Sequence, residues 1–173
     1  VGLHWAVRRP ERLAGLVIMN TSVHPGATPW GSLLKVPGLV PAVFSLTLSP
    51  PLFGWQIRTL FGLSDEDRIA EYRAAYASRR CRRAVARAVA AWAPVLPAVA
   101  ERLRLLCCPV LLLWGMRDRW IFPWKPFGEC FLRDLPRARV VKLHRAGHFL
   151  QLEAPEEVAH HVADFVTACN AHV

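Results

Sequence analysis

The stretch VLLLWGMRDRWIFP, residues 110–123, passes from six apolar or small residues straight into a charged turn, and HRAGHFLQ follows at 144–151. An uninterrupted apolar run of that length reads as a strand covered on both faces, as strands of a parallel sheet are. ARVVKLH (138–144) is a second such run, and WKPFGECFLRDL (124–135) between them has a helical pattern. Beyond it, APEEVAHHVADFVTACN (154–170) puts Pro155 at a first helical position and Glu156 and Glu157 in the first turn. Val158, Val162, Phe165 and Val166 then share one face. Strand, helix, strand, helix predicts an α/β fold with a parallel sheet and flanking helices. Ligands of such sheets bind at the carboxyl ends of the strands.

Upstream, GLVIMNT (15–21) reads as a further two-sided strand after the polar turn RRPERLA, and VGLHWAV (1–7) reads as the tail of a helix with no cap in front. Residues 24–106 differ in character. A Pro/Gly-rich apolar section runs to about residue 63, and helices follow. SDEDRIAEYRAAY (64–76) offers Ser64 as N-cap, acids in the first turn, and Ile69, Tyr72 and Tyr76 on one face. Val85, Ala88, Val89 and Trp92 repeat that spacing. The pattern predicts an inserted helical lid. Three parts result: a core helix end and strand (1–23), the lid (24–106), and a C-terminal core (107–173).

Composition bounds the partners. With 173 residues, 53% of them hydrophobic, the chain is long enough for one domain with a real core. The net charge of +9 would suit an anionic partner, but much of the excess sits in Arg73, Arg79, Arg80, Arg82, Arg83, Arg87, Arg102 and Arg104, on segments that read as helix. That is a solvated helix face, and no nucleic acid is expected. Five cysteines without CxxC spacing read as free thiols in a reducing, cytoplasmic setting. The most apolar stretch, 36–55, is broken by Pro37, Pro41, Pro50 and Pro51, so no membrane span is expected. His160, His161 and Asp164 lack a third ligand at metal spacing, because adjacent helical residues point about 100° apart. No cofactor and no metal are expected.

Asp118 and His148 each fall a few residues past a predicted strand, which puts both at one rim of the sheet. A carboxylate that accepts a hydrogen bond from an imidazole fixes its tautomer and stabilises its protonated form, making it an effective general base. The pair is two thirds of a nucleophile, base and orienter triad. Gly115 and Gly147 are expected to let the two loops bend sharply.

Together GLHWAVRRPERLAGLVIMNT, YRAAYASRRCRRAV, PVLLLWGMRDRWIFP and RAGHFLQLEAPEEVAHHVADF resemble the C-terminal part of an α/β-hydrolase, most closely the haloalkane dehalogenase-like or epoxide hydrolase-like branch. The resemblance runs over essentially the whole chain. It implies that Asp118 is the triad acid and His148 the general base, in the order nucleophile, acid, base. The position after the LVIMNT strand, where some relatives carry the acid, offers Asn20 and Thr21, which favours Asp118. In the dehalogenase-like branch the nucleophile is an Asp on a strand-to-helix elbow, and no such elbow occurs here. Ser22, Ser32, Ser45, Ser49, Ser64 and Ser78 all lie outside one.

The resemblance therefore implies a fragment whose nucleophile lies upstream, inactive by itself, that in full length hydrolyses a small apolar substrate with water. The alternatives are an epoxide hydrolase, a serine esterase or lipase-like hydrolase, and a truncated non-catalytic remnant. Candidate pocket residues are Trp55 and Trp92 in the lid, Trp120 and Phe122 after the acid, and Phe149 and Leu150 beside the base. Trp114, inside a core strand, reads as structural.

Overall fold

A computed structural model describes residues 2–24, 39–59 and 63–171. The start of the proline-rich section, with Ser32 and Pro37, lies outside the described residues. Three parallel strands form the sheet among them: β1 (Leu16–Met19), β2 (Val110–Gly115) and β3 (Arg139–Leu143), in the order β1-β2-β3. Leu16 pairs with Val110 at one end, and Gly115 with Leu143 at the other. The rim expected from the sequence is therefore real, since β2 and β3 are neighbours.

The central strand is buried along its length, and its alternation feeds two cores. Val110, Leu112 and Trp114 face one side with Val23, Leu103 and Phe131. Leu111 and Leu113 face the other with Leu143, Val158 and Phe165. Each such side chain contributes about 2 kcal/mol over an exposed one. Trp114 is fully enclosed, and its indole N–H donates to the Phe122 carbonyl at 2.9 Å, which anchors the loop after β2.

The strand β1 departs from expectation. Ile18 is buried, but Leu16, Val17 and Met19 are half-buried. The cause is position: β1 pairs with β2 on one side and, among the described residues, with no strand on the other.

The helices follow the sequence pattern with local shifts. They are α1 (Gly2–Ala6), α2 (Leu39–Thr47), α3 (Pro50–Thr59), α4 (Glu66–Ala75), α5 (Arg79–Trp92), α6 (Leu96–Arg102), α7 (Glu129–Asp134), α8 (Leu150–Glu153) and α9 (Pro155–Asn170). The N-cap of α4 is Asp65 rather than Ser64, its carboxylate accepting the Arg68 N–H at 3.1 Å. A charged acceptor at the helix start outcompetes the neighbouring hydroxyl. The helix expected from residue 124 becomes regular only at Glu129, because Lys125 has non-helical backbone angles ahead of Pro126. On α9, Val158 and Phe165 are buried as expected; Val166 is 48% exposed, and Cys169 takes its place against the sheet.

Helices α3 and α4 build a third core around Phe53, Ile57 and Ile69, with Tyr72, Tyr76, Val85 and Phe149 packed on it. Phe149 belongs to the loop after β3, so this core touches the rim of the sheet. Among the described residues no single helix is long and apolar enough to cross a membrane.

Candidate active site

Past the sheet edge the loops after β2 and β3 stay zipped together. Met116 N–H donates to the Leu143 carbonyl at 3.0 Å, and Arg117 N–H to the Ala146 carbonyl at 2.9 Å. This brings Asp118 and His148, 30 residues apart in sequence, to 2.7 Å between Oδ2 and Nδ1. The Asp118 side chain is fully buried and the imidazole is 16% exposed.

Asp118 is held from several directions. Its Oδ1 accepts the backbone N–H groups of Ile121 at 3.0 Å and Phe122 at 3.2 Å. Its Oδ2 accepts the Asn20 amide at 3.0 Å as well as the imidazole. Burial on its own pushes the carboxyl up. The hydrogen bond and charge of His148, the Ile121 N–H and the Asn20 amide outweigh that, and Asp118 titrates below the ordinary value of 3.8.

The sign of the resulting pH effect follows. A carboxyl depressed in the folded state contributes stability above its unfolded value, and that contribution is lost as pH falls through the folded value. Thermal melting points of the wild type should therefore drop on acidification below about pH 4, and Asp118→Asn should flatten that drop. Parallel curves for the two proteins would show that this carboxylate contributes nothing to acid-side stability.

Asn20, noted in the sequence only for lacking a carboxylate, ties the three strands together. It follows β1 with φ of 23°, in the left-handed region that Asn tolerates. Its Oδ1 accepts the Gly115 N–H at 2.8 Å, and its Nδ2 donates to Asp118 and to the Gly147 carbonyl at 3.2 Å. One 5%-exposed amide thus joins the ends of β1, β2 and β3. A lone Asn just past a buried strand was the signal for it.

Gly115 and Gly147 serve close approach rather than sharp bending. A Cβ on Gly115 would lie 2.0 Å from the Gly147 carbonyl oxygen, and one on Gly147 would lie 3.1 Å from a Glu153 carboxylate oxygen. Neither glycine takes the left-handed backbone that only glycine adopts readily.

Of the expected pocket residues, two lie beside the His148 ring. The Phe122 ring lies 5.7 Å from the His148 ring and the Phe149 ring 5.2 Å from it, and Phe149 also stacks on Tyr72 of α4 at 5.7 Å. Trp55 and Trp120 are 56% and 70% exposed. Trp92 lines a cavity of about 270 Å³, with Leu3, Thr21 and Val99. Leu150 is 1% exposed and packs in the core beneath α9. On the outer face of α9, His160 and Asp164 form an exposed pair at 3.3 Å. Among the described residues no group of three His, Cys, Asp or Glu is placed to hold a metal ion.

Comparison with known proteins agrees with this architecture. Haloalkane dehalogenase 2 of Mycobacterium tuberculosis is 30% identical over 171 residues, covering 89% of this chain and 56% of that protein. The chain thus spans about half the length of this curated relative. The crystal structure of haloalkane dehalogenase DbeA from Bradyrhizobium elkani superposes with a TM-score of 0.70 at 23% identity, covering 99% of this chain and 65% of that one. A thermophilic esterase from Thermogutta terrifontis superposes with a TM-score of 0.74 at 23% identity, covering 98% and 61%. At those identities the two structures speak for the fold alone. The family model "Alpha/beta hydrolase family" matches residues 1–161. With a parallel sheet carrying an Asp–His pair at its carboxyl rim, the chain belongs to the alpha/beta hydrolase family, with its resemblance directed to the haloalkane dehalogenase-like branch.

Proposed function

We propose that this chain supplies the acid and base of a nucleophile–Asp–His triad in a haloalkane dehalogenase-like hydrolase acting on a small apolar substrate. The observation that carries the reading is the 2.7 Å contact between His148 Nδ1 and the buried Asp118. A buried carboxylate that accepts from Nδ1 makes Nε2 the proton-accepting nitrogen and stabilises the imidazolium once it forms.

An Asp nucleophile on an elbow that these 173 residues do not contain completes the reaction. Its carboxylate oxygen forms a bond to the substrate carbon as the carbon–halogen bond breaks, giving an alkyl ester and halide. His148 Nε2 then takes a proton from water, whose oxygen attacks the ester carbonyl. The bond between the acyl carbon and the alkoxy oxygen breaks, the alcohol leaves with the proton held by His148, and the second water proton passes to solvent, which restores the carboxylate. Phe122 and Phe149 give the base an apolar surround suited to an uncharged substrate.

The test is an assay of the full-length gene product with short bromoalkanes, simple epoxides and p-nitrophenyl esters. Bromide release matched by alcohol formation is the expected result. Turnover of epoxides or esters alone would replace dehalogenation by the corresponding chemistry, with a Ser at the elbow in the ester case. No turnover of any class would favour a non-catalytic remnant.

A further inference from the structure

We propose that Glu153 is a positioning residue for the catalytic base, gripping the backbone on both sides of His148. The inference rests on the reading of His148 as base. Glu153 Oε2 accepts the Gly147 N–H at 2.8 Å, and Oε1 accepts the Phe149 N–H at 3.2 Å. One carboxylate therefore straddles the residue that carries the imidazole. Hydrogen bonds to an ionised acceptor are roughly twice as strong as neutral ones, so the two together resist a shift of the loop.

The opposite side of the loop is held independently. Asn20 donates to the Gly147 carbonyl, Arg117 donates to the Ala146 carbonyl, and Gly115 leaves room for the loop to lie against β2. Gly147, the residue before His148, is thus pinned through its carbonyl by Asn20 and through its N–H by Glu153. With both flanks fixed, the imidazole swings only about its own side-chain torsions, and Nδ1 meets Asp118 at 2.7 Å. The bare Gly147 is part of the device: a Cβ there would stand 3.1 and 3.2 Å from the two Glu153 oxygens.

Glutamine tests this without emptying the site. A carboxamide has one acceptor oxygen, so Glu153→Gln keeps one of the two bonds and points an N–H₂ at the other N–H. The helix itself is spared, because its start is also held by backbone bonds from Leu152 and Glu153 N–H to the Phe149 carbonyl, at 2.7 and 3.0 Å.

The experiment pairs two measurements on the full-length protein: the low-field proton resonance of His148 Nδ1–H, and steady-state kinetics. Glu153→Gln is expected to shift that resonance upfield and speed its exchange with solvent. It should also lower kcat about 10- to 100-fold with KM nearly unchanged, and Glu153→Ala should do more. Asp118→Asn separates the two ideas. If it abolishes the resonance while Glu153→Gln leaves both resonance and kcat unaltered, the positioning role is overturned and the base assignment stands. If Asp118→Asn leaves resonance and turnover unchanged, the base assignment falls and the role of Glu153 falls with it. A lower melting point for Glu153→Gln with an unmoved resonance would mark a merely structural residue and overturn the proposal.

Discussion

Full-length protein carrying His148→Ala is expected to lose turnover by about 10⁴-fold or more, the scale seen when a triad base is removed. The loss should be selective. With an Asp nucleophile, displacement of halide needs no base, so the first half-reaction survives and hydrolysis of the ester fails. A single burst of halide, one per protein, should then accompany a mass increase equal to the alkyl group. Intact-protein mass spectrometry after incubation with a bromoalkane reads this directly. Undiminished steady turnover would remove His148 from the mechanism. Loss of turnover without an adduct would instead point to a nucleophile that itself depends on His148 for activation, as a serine does.

The second large effect falls on a residue with no side chain. Gly115→Ala would place a Cβ 2.0 Å from the Gly147 carbonyl oxygen, 2.8 Å from the Ala146 carbonyl oxygen and 2.9 Å from the Gly147 carbonyl carbon. All three are backbone atoms, so no rotamer change relieves the overlap, and the end of β2 or the His148 loop must move. We expect a loss of about 3 kcal/mol, at the upper end of ordinary overpacking. The moving loop also breaks the bond between His148 and Asp118, so activity should fall beyond what the unfolded fraction explains. Gly2→Ala is the control, since a Cβ there meets nothing within 4 Å. Denaturant titration of both variants checks the expectation. Equal stability of Gly115→Ala and wild type would mean that the two loops have slack that the geometry denies.

Both predictions concern contacts between segments remote in the chain, and this marks the boundary of what could be read from residue order. Burial is patterned locally. Six apolar positions from Val110 to Gly115 announce a covered strand wherever it lies in the sheet, and Pro155 with two following acids announces a helix start. The Asp and His just past two such strands were legible for the same reason, because a parallel sheet sends successive strand ends to one rim. The small misreadings share one origin. Ser64 against Asp65 and the late start of α7 were decided by local competition among neighbouring caps and turns.

What the residues determined by themselves was the strand and helix pattern, the resemblance to a hydrolase, and the Asp118–His148 pair. Only the tertiary structure decided that, among the described residues, β1 pairs on one side alone with three of its residues half-covered, and that Asn20 reaches Asp118 across 98 positions and Gly147 across 127. It alone showed that Gly115 is needed for proximity and that Glu153 bonds the backbone on both sides of His148. The physical reason is that periodicity and capping act within a few residues, where composition encodes them. Which backbone groups face a given amide or glycine depends instead on strand register and loop path, and those are set by packing of the whole sheet.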